Sequence, residues 1–420
     1  MKQEYIELGE ADTNKQIRLY SPDGKYVRHS VDEVIANNMN QWQGWKCSAG
    51  VKGLYIDFDG NLWVCNTASS MSYLVPGGNR FNYEGWDKLE AEEKAKTEPE
   101  KWQERRSEIA LEYRTHDKAY KKIFPIKNAV QAPPPGVLGN IFDGFTLPRE
   151  DFTCAWKSCG CGADVFLSKA KDEKSKELLA VTNNGYQGQY DTKGNLVNIL
   201  TEDHTAMEVN FEMPYQILWD LGRRCNYDCS YCWRSVHNRD AEHKPLDVMI
   251  RTADKIIHEW AQHEQIRWNF GGGEPTLNPD FLPFIQHLKK KGQHVLVTTN
   301  GSRPAKYWKE AMHSINSVNL SVHFEFADDR KVFKNIETIC NHFDENDGDY
   351  WLEIKLMTPP QFFDRSLALR DQILKDTTIT TPGKNGRMKG TVSIVPIRSM
   401  GDSGALVEYT EEQLKVLQNQ

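Results

Sequence analysis

From about Tyr215 onward, short runs rich in β-branched and aromatic residues alternate with amphipathic stretches. That alternation predicts six strands of a parallel sheet or barrel, with helices between most of them. The runs are QILWDL near 216–221, IRWNF at 266–270, HVLVTT at 294–299, SVNLSVHF at 317–324, WLEIKLM at 351–357 and TVSIVPI at 391–397. A last helix is expected over TEEQLKVLQ. Before Tyr215 the pattern changes to strand-like runs around turn formers. SPDGK at 21–25, IDFDGNLWV at 56–64 and YDTKGNLVNI at 190–199 each read as a hairpin. Trp86 to Lys127 is a charged stretch with Pro99 as a breaker, read as two solvated helices whose Lys118, Lys121 and Lys122 form a wet face. Pro133–Pro134–Pro135–Gly136 then gives a stiff connector. The pattern predicts an α+β domain over 1–165, a hairpin-containing linker over 166–210 and an α/β half over 211–420, the last a parallel sheet or barrel.

Composition narrows this picture. The 420 residues carry a formal charge of -7 with both signs interspersed, so no basic face for extended duplex nucleic acid is expected. The opening MKQEYIELGEADTNKQIRLY lacks a basic start followed by an apolar run, and no 18-residue apolar stretch occurs, so a cytoplasmic protein without membrane contact is expected. In a reducing compartment nine cysteines point to metal rather than disulfides. Eight fall into two clusters, and Cys340, within ETICNHF, reads as a buried thiol.

The first cluster is LGRRCNYDCSYCWR at 221–234, where Cys225, Cys229 and Cys232 follow the first strand of the α/β half. Catalytic groups of parallel β/α barrels sit where strands end. Three thiolates on one loop can hold three irons of a cubane and leave the fourth open to a small chelating molecule. Gly272-Gly273-Glu274-Pro275 follows the second strand, where glycines let backbone approach a ligand. With Tyr231 as the aromatic of Cys-x3-Cys-x-aromatic-Cys, the sequence resembles the radical SAM superfamily. The resemblance implies that the α/β half is a partial (β/α)6 barrel of TIM type, and that it holds a [4Fe–4S] cluster whose open iron binds S-adenosylmethionine. It implies that Tyr231 lies against the adenine and that the Gly272, Gly273 and Glu274 segment contacts the methionine amino group. Asn300, in Thr299-Asn300-Gly301, and Ser321 are candidate cofactor contacts from the ends of strands three and four. One-electron reduction would then release a 5′-deoxyadenosyl radical, chemistry that belongs to the cofactor. His323 and Glu325 alternate with apolar neighbours and share one strand face, which makes them candidate catalytic pocket residues. For His323 the alternative is a hydrogen-bonded core histidine. Lys355 on strand five and Arg398 after strand six are further candidate pocket charges, Lys355 as a catalytic one.

The second cluster begins with CSAGVKGLYIDFDGNLWVC, which places Cys47 and Cys65 across a hairpin in a Cys-x12-Gly-x4-Cys arrangement. CAWKSCGCGAD adds Cys154, Cys159 and Cys161. This resembles the SPASM/twitch auxiliary-cluster domain, with LGNIF at 138–142 like its connecting segment. The family pattern is incomplete, and the segment precedes the barrel instead of following it. One auxiliary [4Fe–4S] cluster is the economical reading, with five thiols for four positions. A zinc ribbon accepts the same thiolates and stays open as the alternative.

The resemblance implies hydrogen abstraction from a peptide or protein substrate, with radical modification of a nucleoside or nucleic-acid base as the alternative. A non-catalytic zinc-binding interaction protein is the reading from another class. An electron donor such as flavodoxin or ferredoxin is the implied partner besides a peptide, small-molecule or nucleotide substrate. The auxiliary cluster is expected to face the cofactor side of the barrel, because a radical must be kept from water.

Overall fold

The protein is seen in a computed structural model that describes residues 15–20, 26–30, 44–47, 49–66, 69, 94–98, 101, 105, 136–149, 152–154, 169–170, 178–183, 189–190, 196–197, 215–232, 237–346, 348, 350–380, 389–397 and 407–418. The chain falls into two compact units. One comprises Met1–Tyr55 with Asn61–Tyr215, the other Ile56–Gly60 with Gln216–Gln420.

The first unit is built from short antiparallel strands. β1 (Lys15–Tyr20) and β2 (Tyr26–Ser30) pair antiparallel through Tyr20↔Tyr26, while SPDGK itself lies outside the described residues. β3 (Lys46–Cys47) leads to a meander of β4 (Gly53–Ile56), β5 (Asn61–Trp63), β6 (Val137–Asn140) and β7 (Gly144–Phe145). Gly60, the glycine of the Cys-x12-Gly-x4-Cys arrangement, turns the hairpin between β4 and β5 at φ +85, a left-handed conformation that a side chain would strain. β8 (Phe152–Thr153), β9 (Lys169–Ala170) and β10 (Leu178–Asn183) complete a sheet ordered β2-β1-β10-β9-β3-β8. Residues 166–210, expected as a linker, thus supply two strands of this sheet, since the ladder of backbone hydrogen bonds runs through Lys169↔Cys47 and Lys15↔Asn183. β11 (Gln189–Tyr190) and β12 (Leu196–Val197), within the segment read as a hairpin, pair antiparallel through Tyr190↔Leu196. Most of the charged stretch 86–127, including its three lysines, lies outside the described residues, as do 133–135 and Arg398.

The second unit contains the six anticipated strands: β13 (Tyr215–Asp220), β14 (Ile266–Gly271), β15 (His294–Thr299), β16 (Ser317–His323), β17 (Trp351–Thr358) and β18 (Gly390–Pro396). They lie side by side in sequence order, and β14 to β18 pair in parallel. Helices α1 (Leu246–Lys255), α2 (Phe281–Lys290), α3 (Ala305–Ala311), α4 (Asp329–Glu345) and α5 (Phe363–Asp376) form the crossovers, and α6 (Glu411–Gln418) is the expected last helix. This is the α/β half of the sequence reading, a six-stranded partial barrel.

Alternation along each strand decides which side is packed. Trp219, Trp268 and Phe270 are fully buried; Trp268 packs on the other two, Trp219 meets Phe284 of α2, and Phe270 meets Phe281 and Phe284, the last with ring centroids 5.6 Å apart at 71°. A buried aromatic of this size is worth roughly 3–5 kcal/mol against alanine. α4 buries Val332, Ile336, Ile339 and Phe343 at helical spacing, together with Cys340 at 2% exposure, as expected of that thiol. Asp328 caps this helix by accepting from the Arg330 and Lys331 amides. The opposite face of β15 to β18 is half-exposed at every second residue.

Candidate radical SAM site

The loop after β13 carries Cys225, Cys229 and Cys232, all three half-buried. Burial alternates along it. Cys225, Tyr227, Cys229 and Tyr231 are half-buried while Arg224, Asn226, Asp228 and Ser230 are exposed. The Cys232 amide donates to the Cys229 carbonyl at 2.9 Å, and the Tyr227 amide points at the Cys225 sulfur at 3.4 Å.

Backbone pairing seats the loop. The Leu221 amide donates to Gly271 O, Gly273 N to Gly222 O and Glu274 N to Arg224 O, at 2.8–3.0 Å. This explains the two glycines. A Cβ on Gly272 would meet the Gly222 carbonyl, and one on Gly273 would meet the carbonyls of Arg223 and Arg224. The sequence reading gave these glycines to close approach of a ligand; in the fold their missing side chains first make room for the cysteine loop itself.

Glu274 is 2% exposed, and burial pushes its carboxyl above the usual range against the pull of its hydrogen bonds. It accepts from the Thr276 amide and hydroxyl, the Thr299 hydroxyl at 2.8 Å and the Asn300 amide at 2.6 Å. Four donors match the roughly four lone-pair sites of a carboxylate. The side chain therefore ties the ends of β14 and β15 together, and what this segment can offer a ligand is backbone. Asn300, so held, directs its amide to Asn226 Oδ1 at 3.0 Å and to the Cys225 sulfur at 3.8 Å.

The end of β16 grips the other half of the loop. Glu325 accepts from the Ser230 amide at 2.7 Å and from its hydroxyl. His323 Nδ1 lies 3.0 Å from the Tyr231 hydroxyl with the rings stacked at 5.8 Å, and Tyr227 stacks on Phe326 at 5.4 Å. Burial lowers His323 to about 4 and raises Tyr231, so hydroxyl and imidazole meet as neutral groups. His323 and Glu325, expected to line a catalytic pocket, are here the residues that hold the loop. Lys355, the third of that set, pairs with Glu353 at 3.1 Å, and Ser321 stands beside Lys355 in the β16–β17 register.

At the foot of the loop Lys244, 5% exposed, donates to the Phe58 carbonyl at 2.7 Å and the Leu221 carbonyl at 3.0 Å. Arg223 forks onto Asp59. Sequence reasoning passed over Asn226, Ser230, Arg223 and Lys244. The signal it could have used is the set of hydrogen-bonding side chains within and beside the cysteine spacing.

Burial raises all three thiols; neighbouring cysteines and carboxylates add to it at Cys229, pushed up to about 12, and at Cys232, while hydrogen bonds from Tyr227 and Asn300 oppose it at Cys225. Such thiols resist ionising alone but fit a metal group whose positive charge accepts them as thiolates. Among the described residues, no three His, Cys, Asp or Glu side chains converge on one ion. In the first unit Cys47, Cys65 and Cys154 are buried at 2%, 8% and 3% exposure; Cys47 pairs with Phe152 in the β3–β8 ladder, and Cys154 follows β8. Cys159 and Cys161 lie outside the described residues. No described helix is long and apolar enough to cross a membrane.

Residues 219–345 match the family described as Radical SAM superfamily. A GTP 3′,8-cyclase of Pasteurella multocida is 32% identical over 103 residues, 23% of this chain and 30% of that one. The mycofactocin maturase MftC of Mycobacterium tuberculosis is 32% identical over 96 residues, 23% of this chain and 24% of that one. The chain thus spans less than a third of the length of these two curated relatives. A solved structure of Streptococcus suis SuiB bound to S-adenosylmethionine aligns at TM-score 0.34 and 15% identity over 49% of this chain and 46% of that one, too distant to carry an argument. The match begins within β13, takes in the cysteine loop and ends with α4, so the three loop cysteines fall inside the segment that is similar to that family.

Proposed function

We propose that the chain is a radical SAM enzyme acting on a peptide or protein substrate. Cys225, Cys229 and Cys232 hold a [4Fe–4S] cluster. S-adenosylmethionine lies against the 271–274 backbone, Asn300 and Ser321. Cys47, Cys65 and Cys154, with Cys159 and Cys161, supply the ligands of one auxiliary cluster. The observation that carries the reading is the cysteine loop, seated between two strand ends and gripped by Asn300, His323 and Glu325. Hydrogen-atom abstraction is the chemistry that cluster and cofactor supply when bound.

The chain's own residues do the rest. Three thiolates fix three corners and leave a fourth position without a protein ligand. The His323–Tyr231 contact fixes the Tyr231 ring beside the cysteines. Met357 and Val395, level with His323 in the sheet, put apolar groups next to the loop and disfavour water there. The resemblance of the N-terminal cysteine hairpin to an auxiliary-cluster domain and the likeness to a maturase favour a peptide. The likeness to a cyclase named for GTP keeps a nucleotide as the second reading.

The test is anaerobic purification with iron, sulfide and zinc analysis, followed by dithionite-driven cleavage of S-adenosylmethionine. Iron and sulfide with 5′-deoxyadenosine formation support the proposal. A colourless zinc protein without cleavage overturns it and favours an interaction module.

A further inference from the structure

The turn Asp57–Gly60 lies in the sequence between Cys47 and Cys65, yet together with Ile56 it packs as part of the second unit. Its shape is fixed locally. Asp57 Oδ1 accepts from the Asp59 amide and the Asp57 carbonyl from the Gly60 amide, both at 2.9 Å, and Gly60 takes its left-handed φ of +85. A turn tied in this way presents Phe58 and Asp59 as a fixed tip.

The tip meets the stretch that carries the chain from β13 into Cys225. Each carbonyl from 221 to 224 has a donor there. Leu221 O accepts from Lys244 Nζ at 3.0 Å, Gly222 O from the Gly273 amide, Arg223 O from the Asn238 amide and Arg224 O from the Glu274 amide, the last three at 2.8 Å. Three of these donors are backbone, while the fourth is a side chain that depends on the turn. Lys244 Nζ is shared with the Phe58 carbonyl at 2.7 Å and is nearly cut off from water at 5% exposure. A buried ammonium keeps its charge only where opposite charge compensates it. Burial pushes Lys244 down to about 8; Asp57 and Asp59 of the turn, with Asp220 at the end of β13, work against burial, and Arg223 works with it. Arg223, two residues before Cys225, forks onto both Asp59 oxygens, its guanidinium 5.0 Å from the centre of the Phe58 ring. Removing the Asp59 charge thus unpairs one cation and weakens the hold on a second, and both cations grip the same four residues.

We propose that the turn Asp57–Gly60 is a support of the cysteine loop and that Asp59, acting through Arg223 and Lys244, is a positioning residue for the radical cluster. The N-terminal cysteine segment then has a function besides the thiols at its two ends, because the tip between them sets the geometry of the loop after β13. This rests on the reading of Cys225, Cys229 and Cys232 as cluster ligands. It adds to that reading the residue, 164 positions before Arg223, that holds them in place.

The experiment compares wild type with Asp59→Asn, Arg223→Gln, the double variant and Arg223→Lys. The Asp59 side chain is 45% exposed, so Asp59→Asn keeps its shape and removes only its charge. The first readout needs no metal: the apo full chain is treated with iodoacetamide, and alkylation of each cysteine is followed by mass spectrometry. Cys225 and Cys229 report on the loop, while Cys340, 2% exposed on α4, reports on opening of the whole fold. Asp59→Asn and Arg223→Gln are each expected to raise the loop rates about tenfold and to leave Cys340 unchanged. The double variant should match the single ones, because the pair acts as a unit, and Arg223→Lys should recover part of the protection. In the iron-loaded chain, loss of iron to a chelator should quicken in the same variants. Loop rates equal to wild type, or a double variant that sums the two single effects, would overturn the role of the pair. Loop thiols and Cys340 rising together would overturn positioning in favour of stability alone. Iron, sulfide and cofactor cleavage of the wild type decide the cluster reading separately, since alkylation of the apo chain does not depend on it.

Discussion

Glu325, just past the end of β16, accepts from both the amide and the hydroxyl of Ser230, so one carboxylate fixes the turn between Cys229 and Cys232. A hydrogen bond to a charged group is worth about 1.5–3 kcal/mol. Glu325→Ala is therefore expected to loosen half of the ligand loop while the barrel folds. Iron release to a chelator should speed up about tenfold or more, and Glu325→Gln, which keeps one acceptor oxygen, should fall between. Release at the wild-type rate in Glu325→Ala would show that Glu325 does not hold the loop.

His323 gives the site a pH dependence of definite sign. Burial lowers its folded value to about 4 from an ordinary 6.5, so between those values the unfolded chain binds more protons than the folded one. Stability then falls as pH drops from 7 toward 4, by on the order of 2 kcal/mol at pH 5. Buried His294, lowered to about 3, works in the same direction. Urea midpoints of the apo protein at pH 7 and pH 5 measure the total, and the drop should shrink in His323→Gln. An unchanged drop would mean the histidine titrates normally.

Much of this was legible in the sequence because the barrel strands combine β-branched runs with regular spacing. All six were anticipated to within about two residues, and the cysteine loop falls at a strand end as a parallel barrel requires. What escaped was the division of labour at the site. Alternation shows that His323 and Glu325 share a face, but not that the loop eight dozen residues earlier folds back onto them. Likewise Glu274 reads as a ligand contact until its four protein donors are seen. The strands at 169–183 were missed because the two residues of β9 leave no periodicity and LLAVTN of β10 has no regular alternation, and only long-range pairing with β3 and β1 defines them.

Gly273 separates two physical accounts of the same motif. If its missing side chain served the cofactor alone, a larger residue would weaken S-adenosylmethionine binding and leave the cluster intact. A Cβ here would instead meet the carbonyls of Arg223 and Arg224, directly before Cys225. Gly273→Val is therefore expected to lower cluster occupancy as well as cofactor affinity. Full iron content with weakened cofactor binding would restore the simpler account.

The cysteines supply the sharpest comparison. In the proposed cluster Cys225, Cys229 and Cys232 would each provide one of three thiolates, with no spare protein ligand. Replacing any one by alanine should abolish reductive cleavage of S-adenosylmethionine. Cys340 is a thiol too, but it is packed 2% exposed on α4, and burial pushes it up to about 12, as befits a small apolar core residue. Cys340→Ala should cost roughly 1 kcal/mol or so in packing and leave cleavage at the wild-type rate. Each variant is loaded with iron and sulfide under the same anaerobic conditions, and 5′-deoxyadenosine is measured against time. Wild-type cleavage in any of the three loop variants would remove the assignment, because a thiol that can be deleted without loss is not a ligand of the reacting cluster.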